Sequence, residues 1–171
     1  MSAPALFRIE PLGPHHDRAE FSCGIDALDR YLKTQAGRDR RRGAASCFVA
    51  ISEQNGLAGY YTLAMTSVSL CELPAEMAKK LPRYPKIPAT LLGRLAVDLR
   101  FRGQRLGHLL IFDAMSQMVA SKIASTMLAV DAKDETAAAF YLKFGFRRLG
   151  AGRLQLFLPL HEIAALVGDR T

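Results

Sequence analysis

The sequence predicts a mixed α/β fold: one domain over residues 1–171, a mixed sheet with helices on both of its faces. Three observations predict it. In the first half, apolar runs are joined by tight turn signals, the pattern of hairpins. In the second half, apolar runs alternate with amphipathic ones, the pattern of strand–helix–strand units. Half of the 171 residues are hydrophobic, enough to build a core and too many for a disordered chain.

The elements follow in order. Residues 7–11 read as a first strand, ended by Pro14 and the His15-His16 pair. Ser22 is the expected N-cap of a helix reaching about residue 41, with Ile25, Leu28, Leu32 and Ala36 at helical spacing and Gly43 as its stop. Residues 46–52 and 57–70 read as a hairpin across Gln54-Asn55-Gly56. A short helix is expected over 74–81. Pro82, Pro85 and Pro88 then predict an extended loop. Residues 90–98 form the next strand, apolar except for Arg94, and 106–119 a long helix. Residues 125–132 read as a buried strand. Asp134 caps a helix through Tyr141 and Phe144 that Gly145 stops, and 146–148 and 153–158 have strand character.

Composition narrows the function classes. No apolar run approaches the roughly 20 residues of a membrane-spanning helix, and the first 18 residues lack the basic-then-apolar order of a secretion signal. A cytoplasmic protein is expected. Cys23, Cys47 and Cys71 form no C-x-x-C pair, so buried free thiols are expected and no metal site. Lys and Arg exceed Asp and Glu by 23 to 16, a net charge of +7. The excess is clustered at Arg38 to Arg42, at Lys79 to Lys86, at Arg94 to Arg105, and at Arg147, Arg148 and Arg153. Clustering of this kind favours a polyanionic partner over evenly solvated charge.

Chemistry concentrates at Arg102-Gly103-Gln104-Arg105-Leu106-Gly107. An apolar strand precedes this segment and an amphipathic helix follows. The order strand, glycine-bearing turn, helix start presents free backbone N–H groups at the positive end of a helix dipole, which is a phosphate site.

This turn resembles the acetyl-coenzyme A turn of the GCN5-related N-acetyltransferase (GNAT) family, written Q/R-x-x-G-x-G/A. Arg102 and Gly107 agree with it, and Arg105 stands where the middle glycine is usual. Residues 137–146, Ala-Ala-Ala-Phe-Tyr-Leu-Lys-Phe-Gly-Phe, resemble the family's A-x-x-F-Y-x-x-x-G-F element. Further segments resemble the acetyltransferase toxins of type II toxin–antitoxin modules. They are Phe21-Ser22-Cys23-Gly24 with Leu28, Tyr31 and Leu32; Gly59-Tyr60-Tyr61-Thr62-Leu63; Leu81-Pro82-Arg83-Tyr84-Pro85; and Leu92-Gly93-Arg94-Leu95-Ala96-Val97-Asp98. The resemblance spans about residues 7–160.

The resemblance implies a mostly antiparallel sheet of six to seven strands with a parallel, splayed central pair. It implies acetyl-CoA as co-substrate, held by the backbone of Arg102, Gly103, Gln104, Arg105, Leu106 and Gly107. Arg105 is expected in ordinary helix-start geometry, adding a cation beside the phosphates. Leu95, Ala96 and Val97 are expected to meet the acetyl carbonyl. His108 and Phe144 are counted with the cofactor contacts, although a structural role suits His108 better. It further implies acetylation of the α-amino group of aminoacyl-tRNA, arrest of translation, a ribbon-helix-helix antitoxin and a homodimer.

Tyr141 is the candidate catalytic residue. Expelling a coenzyme A thiolate needs a proton, and a phenol of pKa about 10 stays protonated at neutral pH. Helical spacing sets Ala137, Tyr141 and Phe144 on one face and sends Phe140 toward the core. No His or Glu occupies a motif position as general base, and His15, His16 and His161 read as peripheral. That gap favours an α-amine acceptor, pKa about 7.7, over a lysine near 10.4. Lys33, Arg38, Arg41, Lys79, Lys80, Arg83, Lys86 and Arg94 are assigned to RNA phosphates. Arg94 interrupts an apolar strand, so it should reach a cleft or a partner, with Asp98 as a possible ion-pair mate. Two other readings stay open: an acetyltransferase of a small amine or peptide N-terminus, and a non-enzymatic nucleic-acid binder.

Overall fold

The computed structural model describes residues 6–54, 56–150 and 154–168. Seven strands hydrogen-bond in the order β1-β2-β3-β4-β5-β7-β6. They are β1 Phe7–Pro11, β2 Ser46–Ser52, β3 Gly56–Ser69, β4 Lys86–Val97, β5 Met127–Asp131, β6 Arg147–Arg148 and β7 Gln155–Pro159. The sheet is mostly antiparallel; β4 and β5 form its parallel pair, with Thr90–Leu92 beside Leu128–Val130. Among the described residues six α-helices accompany it: α1 Asp26–Arg30, α2 Ala36–Arg42, α3 Ala75–Ala78, α4 Leu106–Ala120, α5 Glu135–Leu142 and α6 Leu160–Gly168. The chain divides into two compact units.

The first unit takes in the chain to Ala64 together with Gly93–Ala114. β1 pairs antiparallel with β2, Phe7 opposite Ser52 and Pro11 opposite Phe48. β2 pairs antiparallel with β3, with a bulge between Ala50 and Ile51. Phe21, Tyr31, Leu32, Val49 and Tyr60 are buried together. Burying each of these side chains stabilises the fold by about 1.5–3 kcal/mol. Gly59 is required where β3 meets β4, because a Cβ there would lie 2.9 Å from the Ala96 carbonyl oxygen.

The first helix departs from expectation. It starts at Asp26 with Ile25 at the N-cap and no capping side chain. Ser22 lies outside it, its N–H donating to the Asp98 carboxylate at 3.1 Å. Asp29 closes the entry by accepting from the Cys23 N–H at 2.8 Å, and Asp26 and Asp29 oppose the positive helix end. The run is also not uniformly α-helical. Tyr31–Gln35 is a π turn, in which the Ala36 N–H donates to the Tyr31 carbonyl. The extra residue lets Tyr31, Leu32 and Ala36 all face the core. Gly43 ends α2 in the left-handed conformation, φ 72°, as expected.

The second unit takes in Met65–Leu92 and the chain from Met115 onward. β5 pairs antiparallel with β7, and β7 with β6, around Val68, Leu73, Met127, Leu149 and Phe157. β4 begins at Lys86, four residues before the expected start. Pro88 is part of this strand and not of the loop; it needs no donor there, and its carbonyl accepts from the Thr126 N–H. The Asp134 carboxylate caps α5 by accepting from the Ala137 N–H at 2.8 Å, as its sequence position implies. α6 follows β7 directly and was not among the expected elements. Of the three cysteines, Cys23 and Cys47 are buried, while Cys71 is exposed, contrary to expectation. Burial pushes the Cys47 thiol up to about 12 and, with the Asp29 hydrogen bond, that of Cys23 to about 11; neither is a thiolate at neutral pH.

Candidate functional site

The phosphate-type turn lies wholly in the first unit. β4 ends at Val97, a single 3-10 turn follows over Leu99–Phe101, and Arg102, Gly103, Gln104 and Arg105 lead exposed into α4. Leu106 is buried, Gly107 half-buried and His108 exposed. Gly103 has φ 80°, with nothing within 4 Å of where a Cβ would stand, so the turn is open at its tip. An open cradle with exposed backbone at a helix start fits a diphosphate. Leu95 and Val97 are half-buried and Ala96 is buried.

Arg105 corrects the expectation of ordinary helix-start geometry. Its φ is 59°, and it is the one non-glycine residue with positive φ among those described. The turn demands the left-handed conformation that glycine takes most readily, and here an L-residue adopts it at a cost of about 1 kcal/mol.

Arg102 is tied back into the fold. It donates to the Cys23 carbonyl at 3.2 Å. Nearby, the Leu99 N–H donates to the Ser22 carbonyl at 2.9 Å. Asp98, 1 % exposed, accepts from the Ser22 N–H and from the Arg100 N–H and guanidinium. Burial would raise the Asp98 carboxyl, but the Arg100 and Ser22 hydrogen bonds outweigh it and hold the group below its ordinary value. Ser22, Cys23 and the turn thus form one hydrogen-bonded assembly.

Asp98 is therefore not the partner of Arg94. The Arg94 guanidinium sits 3.5 Å from the centre of the Tyr31 ring. The Tyr31 hydroxyl donates to Asp39 at 2.8 Å, and the Gln35 amide donates to the same carboxylate at 3.0 Å. Burial first, then the Asp39 hydrogen bond, drives the Tyr31 phenol well above its ordinary value. Asp39 is lowered by the Gln35 and Tyr31 hydrogen bonds, with the Arg94 charge adding to them.

Tyr141 lies in the second unit, on α5. It is 7 % exposed, packed edge-on against Phe140 and Phe146. Desolvation raises its phenol far above the usual value, which keeps the proton on oxygen. Among the described residues its hydroxyl has no hydrogen-bond partner, yet it is not sealed from solvent. Phe140, expected in the core, is only half-buried, as is Phe144, and their rings meet at 5.1 Å. Tyr141 and Ala138 are the buried residues of this helix, so its core face lies about one position from the expected one.

The basic residues fall in both units. Lys33, Arg38 and Arg41 are exposed along the π turn and α2, in the same unit as Arg94. Lys79, Lys80, Arg83 and Lys86 are exposed at the end of α3 and the start of β4, in the second unit.

Several interactions escaped the sequence. Tyr61, fully buried, donates to Asp113 on α4 at 2.5 Å, and burial raises the Asp113 carboxyl. His16 is not peripheral. It is 9 % exposed, accepts from the Gly13 N–H through Nδ1 at 2.8 Å, and faces Glu10 through Nε2 at 2.6 Å. Glu10, His15 and His16 have ligand-type atoms within 4.8 Å of one another. Because Nδ1 accepts from Gly13, Nε2–H is the donor to Glu10, and neither ring nitrogen keeps a lone pair free for a metal. No periodicity signals such pairs, since each joins residues on different elements.

Comparison with known proteins extends the picture. The sequence profile of the Acetyltransferase (GNAT) domain matches residues 86–161. A tRNA-acetylating toxin of Mycobacterium tuberculosis is 34 % identical over 155 residues, covering 90 % of this chain and 92 % of its own. The solved structure of AtaT complexed with acetyl-methionyl-tRNAfMet is 32 % identical, covers 94 % of this chain and 98 % of that one, and superposes with a TM-score of 0.86. A tyrosine-to-phenylalanine variant of the AtaT toxin, bound to acetyl-CoA and the C-terminus of the antitoxin AtaR, is 28 % identical. It covers 94 % of this chain and 97 % of its own, with a TM-score of 0.77.

Proposed function

Because the chain belongs to the GNAT acetyltransferase family, we propose that this N-acetyltransferase is a toxin that acetylates the α-amino group of aminoacyl-tRNA and thereby blocks translation. The observation that carries this reading is the likeness, over 94 % of the chain, to a toxin solved with acetyl-methionyl-tRNA. The likeness to a toxin solved with an antitoxin segment supports a neutralising partner; we read that partner as a ribbon-helix-helix protein and the active form as a cytoplasmic homodimer.

Each step has a residue. Acetyl-CoA, when bound, supplies an activated acetyl group. Backbone N–H groups of Gly103 to Gly107 hold its diphosphate at the start of α4, and Arg105 adds a positive charge beside it. Backbone N–H groups of Leu95, Ala96 and Val97 stabilise the negative charge that develops on the acetyl oxygen. His108 and Phe144 complete the cofactor contacts. The Tyr141 phenol gives its proton to the departing sulfur; its raised pKa ensures that the proton is present. No general-base side chain is needed to ready an α-amine, which is partly neutral at physiological pH; as its C–N bond forms and the C–S bond breaks, the nitrogen gives up one proton to solvent, and solvent returns one to the Tyr141 phenolate. Lys33, Arg38, Arg41, Lys79, Lys80, Arg83, Lys86 and Arg94 hold RNA phosphates.

The test is transfer of radiolabelled acetyl from acetyl-CoA to purified tRNA, aminoacylated or deacylated. Label on aminoacyl-tRNA alone, recovered as N-acetyl amino acid after mild alkali, is expected. Label on free small amines but not on aminoacyl-tRNA would replace this reading with that of a small-amine acetyltransferase.

A further inference from the structure

Among the described residues, Arg94 is a cation without a hydrogen-bond acceptor. It is half-buried in β4, yet among the described residues no carboxylate or carbonyl receives a hydrogen bond from it. A guanidinium has five N–H donors, all in its own plane. The Tyr31 ring, at 3.5 Å, covers the face of the group and leaves those donors unused. The ring itself is held. It is buried, and its hydroxyl is committed to Asp39, which the Gln35 amide also grips. The π turn places Tyr31 and Gln35 where they share that carboxylate. Arg94 is thus held by stacking with its donors open to solvent, unlike Arg100 and Arg102, which donate to Asp98 and to the Cys23 carbonyl.

The geometry points to Arg94 as the reader of a phosphodiester in the unpaired 3′ end of the acceptor RNA, with Tyr31, Asp39 and Gln35 as the residues that position it. This rests on the proposed acetylation of aminoacyl-tRNA. A planar fork of donors matches two oxygens of one phosphate, which a freely moving surface lysine does not. Arg94 directly precedes Leu95, the first residue assigned to the acetyl group, so an acceptor amine brought to that strand carries its own terminal phosphodiester nearby. Lys33, Arg38 and Arg41, all exposed, suit the duplex backbone instead.

The experiment measures binding of deacylated tRNA, whole or trimmed of its unpaired 3′ nucleotides, to the full-length protein. Arg94→Gln should weaken binding of whole tRNA about tenfold, and should leave binding of trimmed tRNA at the wild-type level. Arg94→Lys should restore only part of the loss. Tyr31→Phe keeps the ring and cuts the tie to Asp39, and should cost about threefold on whole tRNA alone. Arg38→Ala should weaken both RNAs alike. Equal losses on whole and trimmed tRNA for Arg94→Gln, no loss on either, or full recovery by lysine would overturn the assignment while leaving acetyl transfer to aminoacyl-tRNA standing. Failure of the wild-type protein to acetylate aminoacyl-tRNA, with acetyl-CoA binding intact by calorimetry, would overturn both.

Discussion

Asp98 and Ser22, 76 residues apart in sequence, are joined by a 3.1 Å hydrogen bond from the Ser22 N–H to the Asp98 carboxylate. With the Leu99 and Arg102 bonds to the Ser22 and Cys23 carbonyls, it fixes the entry to the turn before α4 on a loop that precedes the first helix.

Replacing Asp98 tests this tie. Asp98→Asn should destabilise the protein by about 2–4 kcal/mol at neutral pH, because a buried network loses its negative charge and one of its two acceptor oxygens to an NH2 donor. The Asp98 pKa is lowered in the folded state, so its contribution is present above the unfolded value of about 3.9 and is lost as pH falls through the folded one. Urea denaturation at pH 7 should show the full gap between variant and wild type, and denaturation in acid a shrinking one.

At the turn, Arg105→Gly should leave stability unchanged or raise it by up to about 1 kcal/mol, since glycine accepts φ 59° without strain. Arg105→Ala should give no such relief. Both should weaken acetyl-CoA binding severalfold at low salt by removing a cation, and calorimetry across a salt series should show the difference vanish as ionic strength rises.

Tyr141→Phe should fold normally, because the lost hydroxyl has no protein partner among the described residues. Thermal midpoint and acetyl-CoA affinity should match the wild type. Turnover should fall at least about 100-fold, the scale of a lost general acid. Unchanged kcat would remove Tyr141 from the mechanism.

The Tyr61–Asp113 pair responds to pH in the opposite sense to Asp98. Burial raises the folded-state pKa of Asp113, so the protonated form favours folding and stability is lost as pH climbs through that raised value. Asp113→Asn, which still accepts from the Tyr61 hydroxyl, should be more stable than wild type at pH 7 by about 1 kcal/mol. The two should converge near pH 3. Denaturant midpoints over that range decide the matter.

Most of this architecture was legible because it is local. The hairpin across residues 46–69, the Asp134 cap, the Gly43 stop and the turn before α4 each follow from chemistry within a few residues. What was hidden depends on contacts across the chain. Ser22 has the chemistry of an N-cap, but its backbone is recruited by Asp98, so the helix starts at Asp26. Arg94 looks as though it needs an acid, and it takes an aromatic face instead. Arg105 could be seen to break the motif, but the left-handed backbone at that position is set by the turn and overrides the residue's own preference. Periodicity gave α5 its extent; it missed which aromatic is buried, because helical side chains lean toward the preceding turn.

The wide turn at Tyr31–Gln35 makes the winding there a functional setting. Tightening the π turn to a regular α-helix with no residue removed would swing everything after it by about 100°. Asp39 would leave the phenol it grips, and the arginines of α2 would sweep round with it. A substitution that drives this segment into regular helix would therefore give a better helix and a displaced arginine face.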